Sequence, residues 1–317
     1  MAERAGSGED GDGAVTGLTY LGVTPEGGAA LPAPAEVAWD CSEDAPADGF
    51  SGVFPLSSSF GNLTGIRILD SSGELLFDGV TDIQREISAA GGRVLKLAAR
   101  SRAGLLLDSE AVPQTYSSPS LPMIYARHVK PYGFSGWAGS EQVFEGTMQI
   151  AKGMSEWQAA ALFCTAFLKV TPRVRGGVFD ASGASAAQEL CFGDGGIRFR
   201  SAEVKNRYCD RYSEVLAPLP IGGTYVLASE DAQTRALGIL RRRCLKSADG
   251  AGALLSSADR KAFAVTVECP GRVRAEIGGP AVFRNGVLGA FSGLTVAGTR
   301  YLLDGAGERT RIVLRRK

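Results

Sequence analysis

From Gly49 to Ala99 the chain is built of short apolar runs cut by turn residues, and this spacing constrains the fold more than any other feature. Phe50 to Leu56, Gly65 to Leu69, Glu74 to Val80 and Arg93 to Ala98 each have the length of a strand and fall short of an ordinary helix. Between two of them Asp70-Ser71-Ser72-Gly73 reads as a hairpin turn, with Gly73 supplying the positive φ that the connection needs. Gly91-Gly92 precedes the last run. Short strands at even spacing favour barrels or sandwiches over a doubly wound sheet.

The pattern returns near the C-terminus. Phe263, Val265 and Val267 alternate with polar neighbours, Pro270-Gly271 turns the chain, and strands are predicted at 286–296, 300–303 and 310–314 around a turn at 304–307. Near the start, Leu18 to Val23 reads as a strand, followed by a loose Gly, Ala and Pro link over 25–35. Residues 1–14 hold scarcely an apolar side chain and are expected to form a loose arm.

The middle is different. Residues 100–108 suggest a short helix, and Ser155 caps a stronger one carrying Glu156 in its first turn and Trp157, Leu162, Phe163, Phe167 and Leu168 as apolar residues, with Pro172 closing it. A second helix is predicted from Ser229 to Leu245, acidic at its start and basic at Arg241-Arg242-Arg243. No internal repeat is visible in the sequence.

Charge and motifs exclude more than they suggest. The 34 basic and 34 acidic residues cancel, so no global field recruits a polyanion. Apolar residues at 44% and charged residues at 21% fit a folded chain. The N-terminus has no apolar stretch of the signal-peptide kind and no segment approaches a membrane span, so the expectation is a soluble protein made in the cytoplasm. The six cysteines, Cys41, Cys164, Cys191, Cys209, Cys244 and Cys269, have no close pair and read as buried free thiols, with no metal site.

Gly133-Phe134-Ser135-Gly136-Trp137 and Gly49-Phe50-Ser51-Gly52-Val53 miss the nucleophile-elbow spacing and read as turns. Gly193-Asp194-Gly195-Gly196-Ile197-Arg198 departs from a dinucleotide fingerprint and reads as a hairpin loop. His128 is the single histidine, with no acid near it in sequence, and reads as structural. The basic runs at 241–243 and 315–317 are read as a solvated helix end or as facing an acidic patch on a neighbouring subunit, ahead of a contact with phosphates, and the aromatic stretch 132–137 as a packed connection between domains or a contact loop. No catalytic, cofactor-binding or metal-ligating residue is nominated.

Four collinear stretches carry a family resemblance. They are Gly49-Phe50-Ser51-Gly52-Val53-Phe54-Pro55 with Gly73 to Asp82; Leu95 to Pro113, including Arg100-Ser101-Arg102 and Leu107-Asp108-Ser109-Glu110-Ala111; Phe144-Glu145-Gly146 through Gly153-Met154-Ser155-Glu156-Trp157 to Pro172-Arg173-Val174; and Arg241 through Val267-Glu268-Cys269-Pro270-Gly271 to Arg311. Their order resembles the central hub proteins of phage tail baseplates, of contractile tails and phage-tail-like bacteriocins, over roughly 49–314. The resemblance implies a mainly β fold with α (α+β): two tube-like β-barrel domains plus a helix-containing middle portion. The expected division is an arm at 1–15, a first barrel at 16–125, a middle domain at 126–215 and a second barrel at 216–317, with segments open to exchange between domains.

It further implies a homotrimeric ring, a symmetry adaptor joining a sixfold tail tube, or its initiator, to a threefold spike. Baseplate wedge proteins would be further partners, DNA only a passing cargo, membranes no partner, and the site the virion tail baseplate. Such a chain is a virion structural protein and not an enzyme, and takes no cofactor. Two other classes compete: a tail-associated protein that degrades cell wall or binds carbohydrate through paired acids, and a channel protein in contact with nucleic acid.

Overall fold

Strict alternation of apolar and polar residues builds the first unit. The computed structural model describes residues 17–183, 185 and 187–317, so the expected arm lies outside the described residues. The strands are β1 (Thr19–Thr24), β2 (Gly27–Ala30), β3 (Glu36–Ser42), β4 (Gly49–Leu56), β5 (Gly65–Leu69), β6 (Leu75–Ala89) and β7 (Gly92–Ser101). One face of every strand but β2 feeds a core that includes Tyr20, Val37, Phe50, Phe54, Ile66, Ile68, Phe77, Leu95, Leu97 and Ala99. The stretch expected to be a loose link after β1 instead turns back as β2 and pairs with it from Leu21 to Thr24. Gly49 to Val53, read as a turn, is the start of β4, held between β3 and β7.

The chain then leaves the sheet. Helix α1 (Ala103–Asp108), β8 (Gln114–Ser117), α2 (Leu121–Ile124), β9 (Gly136–Ala138), β10 (Thr147–Ile150), α3 (Glu156–Phe163), β11 (Arg173–Arg175) and β12 (Val178–Asp180) surround a separate core that includes Leu106, Ile124, Val129, Trp157, Phe163 and Phe179. Ser155 caps α3 as expected: its side chain accepts from the Gln158 N–H while Gln158 returns a bond to the Ser155 backbone.

The second sheet unit comprises β13 (Leu190–Gly193), β14 (Ser201–Asn206), β15 (Glu214–Pro218), β16 (Tyr225–Glu230), α4 (Ala232–Ala236), β17 (Arg242–Cys244), α5 (Ala251–Ala262), β18 (Phe263–Pro270), β19 (Pro280–Asn285), β20 (Gly289–Asp304) and β21 (Gly307–Arg316). The helix predicted over 229–245 is mostly something else. Strand β16 runs to Glu230, α4 is one short turn, and Arg242 to Cys244 form a strand beside β15. Gly238, at φ +77°, sits just past α4, and Leu237 and Leu240 find no core to face and stay exposed. The helix that does form, α5, buries Ala251, Leu255 and Ala262.

The mainly β expectation with a helical middle holds. Thirteen of its strands, however, form one continuous sheet with the path β14-β18-β21-β20-β3-β4-β7-β6-β5-β1-β2, with β19 beside β20 and β13 beside β19, while β8 with β10, β9 with β11 and β12, and β15 with β16 and β17 form small separate sheets. The path stays open at both ends among the described residues, so no closed barrel is present there. The join between units is β20, which pairs with β19 through its first half and with β3 from Gly298 to Leu303.

Within this sheet a repeat emerges that the sequence hides. The order β3-β4-β7-β6-β5 recurs as β14-β18-β21-β20-β19. Registers agree at one constant spacing for β4 to β7 against β18 to β21, save at one pair, where Ile68 faces Phe77 but Phe283 faces Phe291. Phe50 pairs with Ala99 as Val265 pairs with Leu314, Gly65 with Val80 as Pro280 with Thr295, and Ala89 with Gly92 as Asp304 with Gly307. Irregularities coincide as well: β6 bulges between Thr81 and Ile83, and β20 at the matching point between Val296 and Gly298. The Thr81 N–H bonds the Thr64 carbonyl, and the Val296 N–H bonds that of Gly279. Pro55 corresponds to Pro270, Gly92 to Gly307 and Arg100 to Arg315. What is conserved is the burial alternation, with different apolar residues filling it.

Candidate functional site

Residues that alternate with the core lie on the sheet's other face. In β3, β4 and β7 these are Glu36, Ala38, Ser51, Val53, Lys96 and Ala98, and they join Ile83 and Arg85 of β6 and Leu302 of β20 around an open hollow of about 340 Å³. A hollow bounded by five neighbouring strands means that this face curves inward. Its charges are interleaved. Arg300 faces Asp40 at 3.4 Å, Arg311 is registered against Glu268, and Arg309 holds Asp304 at 2.7 Å, keeping that carboxyl well below the usual range.

Besides the outer side of β2, where the strand path ends, two edges of this sheet carry no backbone partner among the described residues. The outer side of β14 is one, since β14 pairs only with β18. The second half of β6, from Ile83 to Ser88, is the other, paired on one side with β7. Ile83 and Ile87 there are 54% and 39% exposed, large apolar residues beside an open edge.

Ion pairs brace the repeats against each other. Arg315 of β21 bonds Glu43 at 2.8 Å and Asp44 at 2.7 Å, and Arg260 of α5 reaches Glu43 from the far side at 3.1 Å. Hydrogen bonding to Arg315 lowers the Asp44 carboxyl. Arg274 clasps Glu74 across the units. Asp48, behind β4, is pushed up to about 6 by burial.

The residues singled out by sequence are placed as follows. His128 is buried and does have an acid, brought from 28 positions away in sequence: its Nδ1 lies 2.5 Å from Glu156 at the start of α3, and its Nε2 lies 2.7 Å from the Tyr116 hydroxyl. Tyr132 donates to the other Glu156 oxygen at 3.3 Å. Burial pushes the Tyr116 phenol up, which keeps it a donor. With both ring nitrogens occupied, the histidine braces the middle core. The 241–243 run pairs within the chain, Arg242 with Glu214 at 2.5 Å and Arg243 over the Tyr212 ring. Arg316 lies over Phe263 and bonds Asp259. Phe134 is buried, its carbonyl accepting from Tyr125, and Trp137 sits in β9, so 132–137 is a packed connection. All six cysteines are free; Cys164 and Cys269 are buried, whereas Cys209, in the turn before β15, and Cys244, in β17, are exposed, against expectation.

No family model matches the chain, and no curated protein matches it. Solved structures do. A tail protein from Neisseria meningitidis MC58 superposes with a TM-score of 0.74 at 18% identity, over 95% of this chain and 97% of that one. A 43 kDa tail protein of prophage MuSo2 from Shewanella oneidensis gives 0.77 at 16% identity, over 94% and 98%. A type VI secretion system component from E. coli, described as structurally similar to T4 bacteriophage tail proteins, gives 0.54 at 9% identity, over 90% and 74%. The fold is the one these tail proteins share.

Proposed function

We propose that the chain is a structural subunit of a phage or phage-like tail baseplate, and that three copies form a hub ring between a sixfold tube and a threefold spike. The observation that carries the reading is the internal repeat: two equivalent sheet units per chain, presented side by side with one curved face. Three chains supply six such units, which matches a sixfold partner. The middle core from Ala103 to Ala181 and the segment between β14 and β18 have no counterpart in the repeat, so they occur three times and mark the threefold aspect. The division into a first sheet unit, a middle unit and a second sheet unit, with segments exchanged, belongs to this reading.

In such a ring the eight strands from β14 to β6 of each copy line the lumen. A wall of about 24 strands would be wider than the porin barrels that already leave an aqueous channel. Its interleaved charges, Lys96, Arg85, Arg300 and Arg311 against Glu36, Asp40, Glu268 and Asp304, neither grip nor repel a passing polyanion strongly. The tail location, and tube, wedge and spike proteins as partners, follow from the same reading. Sedimentation equilibrium of the purified chain, alone and with tube and spike proteins, tests it. A trimer is the expected mass, and a chain that stays monomeric in every mixture contradicts it.

A further inference from the structure

We propose that Asn285-Gly286, at the tip between β19 and β20, is a self-modifying turn in which Asn285 loses its side-chain amide and becomes aspartate. Of the chain's three asparagines, Asn62, Asn206 and Asn285, this one alone is followed by glycine, whose nitrogen no side chain crowds. The reaction needs the next backbone nitrogen as nucleophile. In the other two cases that nitrogen is engaged: the Leu63 N–H donates to Gln84 Oε1 at 2.8 Å and the Arg207 N–H to the Ala262 carbonyl at 2.7 Å. The Gly286 N–H donates to no group among the described residues, and Gly286 is exposed. The electrophile is prepared as well. Asn285 Oδ1 accepts from the Val287 N–H at 3.1 Å and the Leu288 N–H at 2.9 Å, two fixed donors on the oxygen where negative charge develops during attack.

The Gly286 nitrogen gives its proton to solvent base and bonds to the Asn285 Cγ; the Cγ–Nδ2 bond breaks, ammonia leaves and a cyclic imide closes. Water then opens the imide. Addition at Cγ restores the backbone and leaves aspartate, whereas addition at the main-chain carbonyl reroutes the chain through Cβ and Cγ as isoaspartate. The internal repeat indicates which product the turn accepts. At the repeat's spacing Asn285 corresponds to Asp70, Val287 to Ser72 and Gly289 to Glu74. An aspartate already stands in the first unit: Asp70 Oδ1 accepts from the Ser72 and Glu74 N–H groups, both at 2.9 Å, and bonding to the Ser72 hydroxyl and these N–H groups holds its carboxyl below the usual range. Aspartate at 285 keeps the turn and strengthens its bonds, while isoaspartate lengthens the backbone inside a tight hairpin. A contact made by this tip, where Val287 is 92% exposed, meets a neutral side chain on a fresh chain and a carboxylate on an aged one.

The test incubates the folded full-length chain in mildly alkaline buffer, beside the same chain unfolded in urea, and maps both by peptide mass spectrometry with an isoaspartate assay. The folded chain is expected to gain aspartate at Asn285 with no conversion at Asn62 or Asn206, and to hold a smaller isoaspartate share than the unfolded chain. Gly286→Ala places a methyl in open space at a φ outside the left-handed region, so it is expected to fold normally and to slow the conversion severalfold by crowding the nucleophile. Asn285→Asp is expected to unfold at the same midpoint as the fresh chain. No conversion at Asn285 in the folded chain, equal conversion at Asn62 or Asn206, an isoaspartate share as large as in urea, an unslowed Gly286→Ala or a destabilised Asn285→Asp overturns the proposal.

Discussion

At the residue scale the fold carries its cost in one acid. Asp48 is desolvated behind β4, and its carboxyl is pushed up to about 6. A raised acid pKa means that the folded state binds the proton more tightly than the unfolded one. Its contribution is therefore fully present below the unfolded value of 3.8 and is lost as pH rises to about 6. Asp48→Asn is expected to raise stability by about 2 kcal/mol at pH 7.5 and by little at pH 4, measured by urea unfolding. Equal gains at both pH values would show that desolvation of the charge is not the cause. No sequence pattern marks Asp48, because burial belongs to the neighbours a residue acquires. The same is true of His128, whose partner Glu156 belongs to another element. Its burial between two polar partners fits the structural reading, and neither partner was legible in the sequence.

At the scale of elements, legibility followed local chemistry. The Gly73 turn at φ +83° and the Ser155 cap each rest on neighbours in sequence, and each formed where the residues called for it. Ser155→Ala removes the bond to the Gln158 N–H and is expected to cost about 1 kcal/mol of stability, read from the shift in the denaturation midpoint. A loss below a few tenths would mean that water replaces the cap. The stretch 229–245 failed because a helical charge pattern carries no information about whether a core exists for the helix to bury against. The repeat escaped for a related reason. Phe54 and Cys269, or Leu95 and Thr310, fill the same positions without resembling each other, so only register and burial reveal it. Gly79, whose missing Cβ leaves room for Phe77 and the Arg100 carbonyl, adds a constraint visible only in three dimensions.

At the scale of the whole molecule, one sheet spans both units and stays open, and the account turns on what that openness is for. Two separate closed barrels would need no partner, whereas an open run of eight strands with a hollowed face suits the proposed ring, in which it would form one third of the wall. The ion pairs of Arg315 and Arg274 brace the two repeats against each other, and in the proposed ring the angle between them would set how many copies close it. The fold shared with tail proteins at 18% identity and below fits a shape kept by packing and edge geometry more than by particular side chains. Direct imaging of the purified assembly by electron microscopy tests the central claim. Class averages viewed down the axis are expected to show a closed ring with six similar lobes on its inner wall and three outer projections. Rings whose lobes number other than twice the subunit count, or particles that never close, would contradict it.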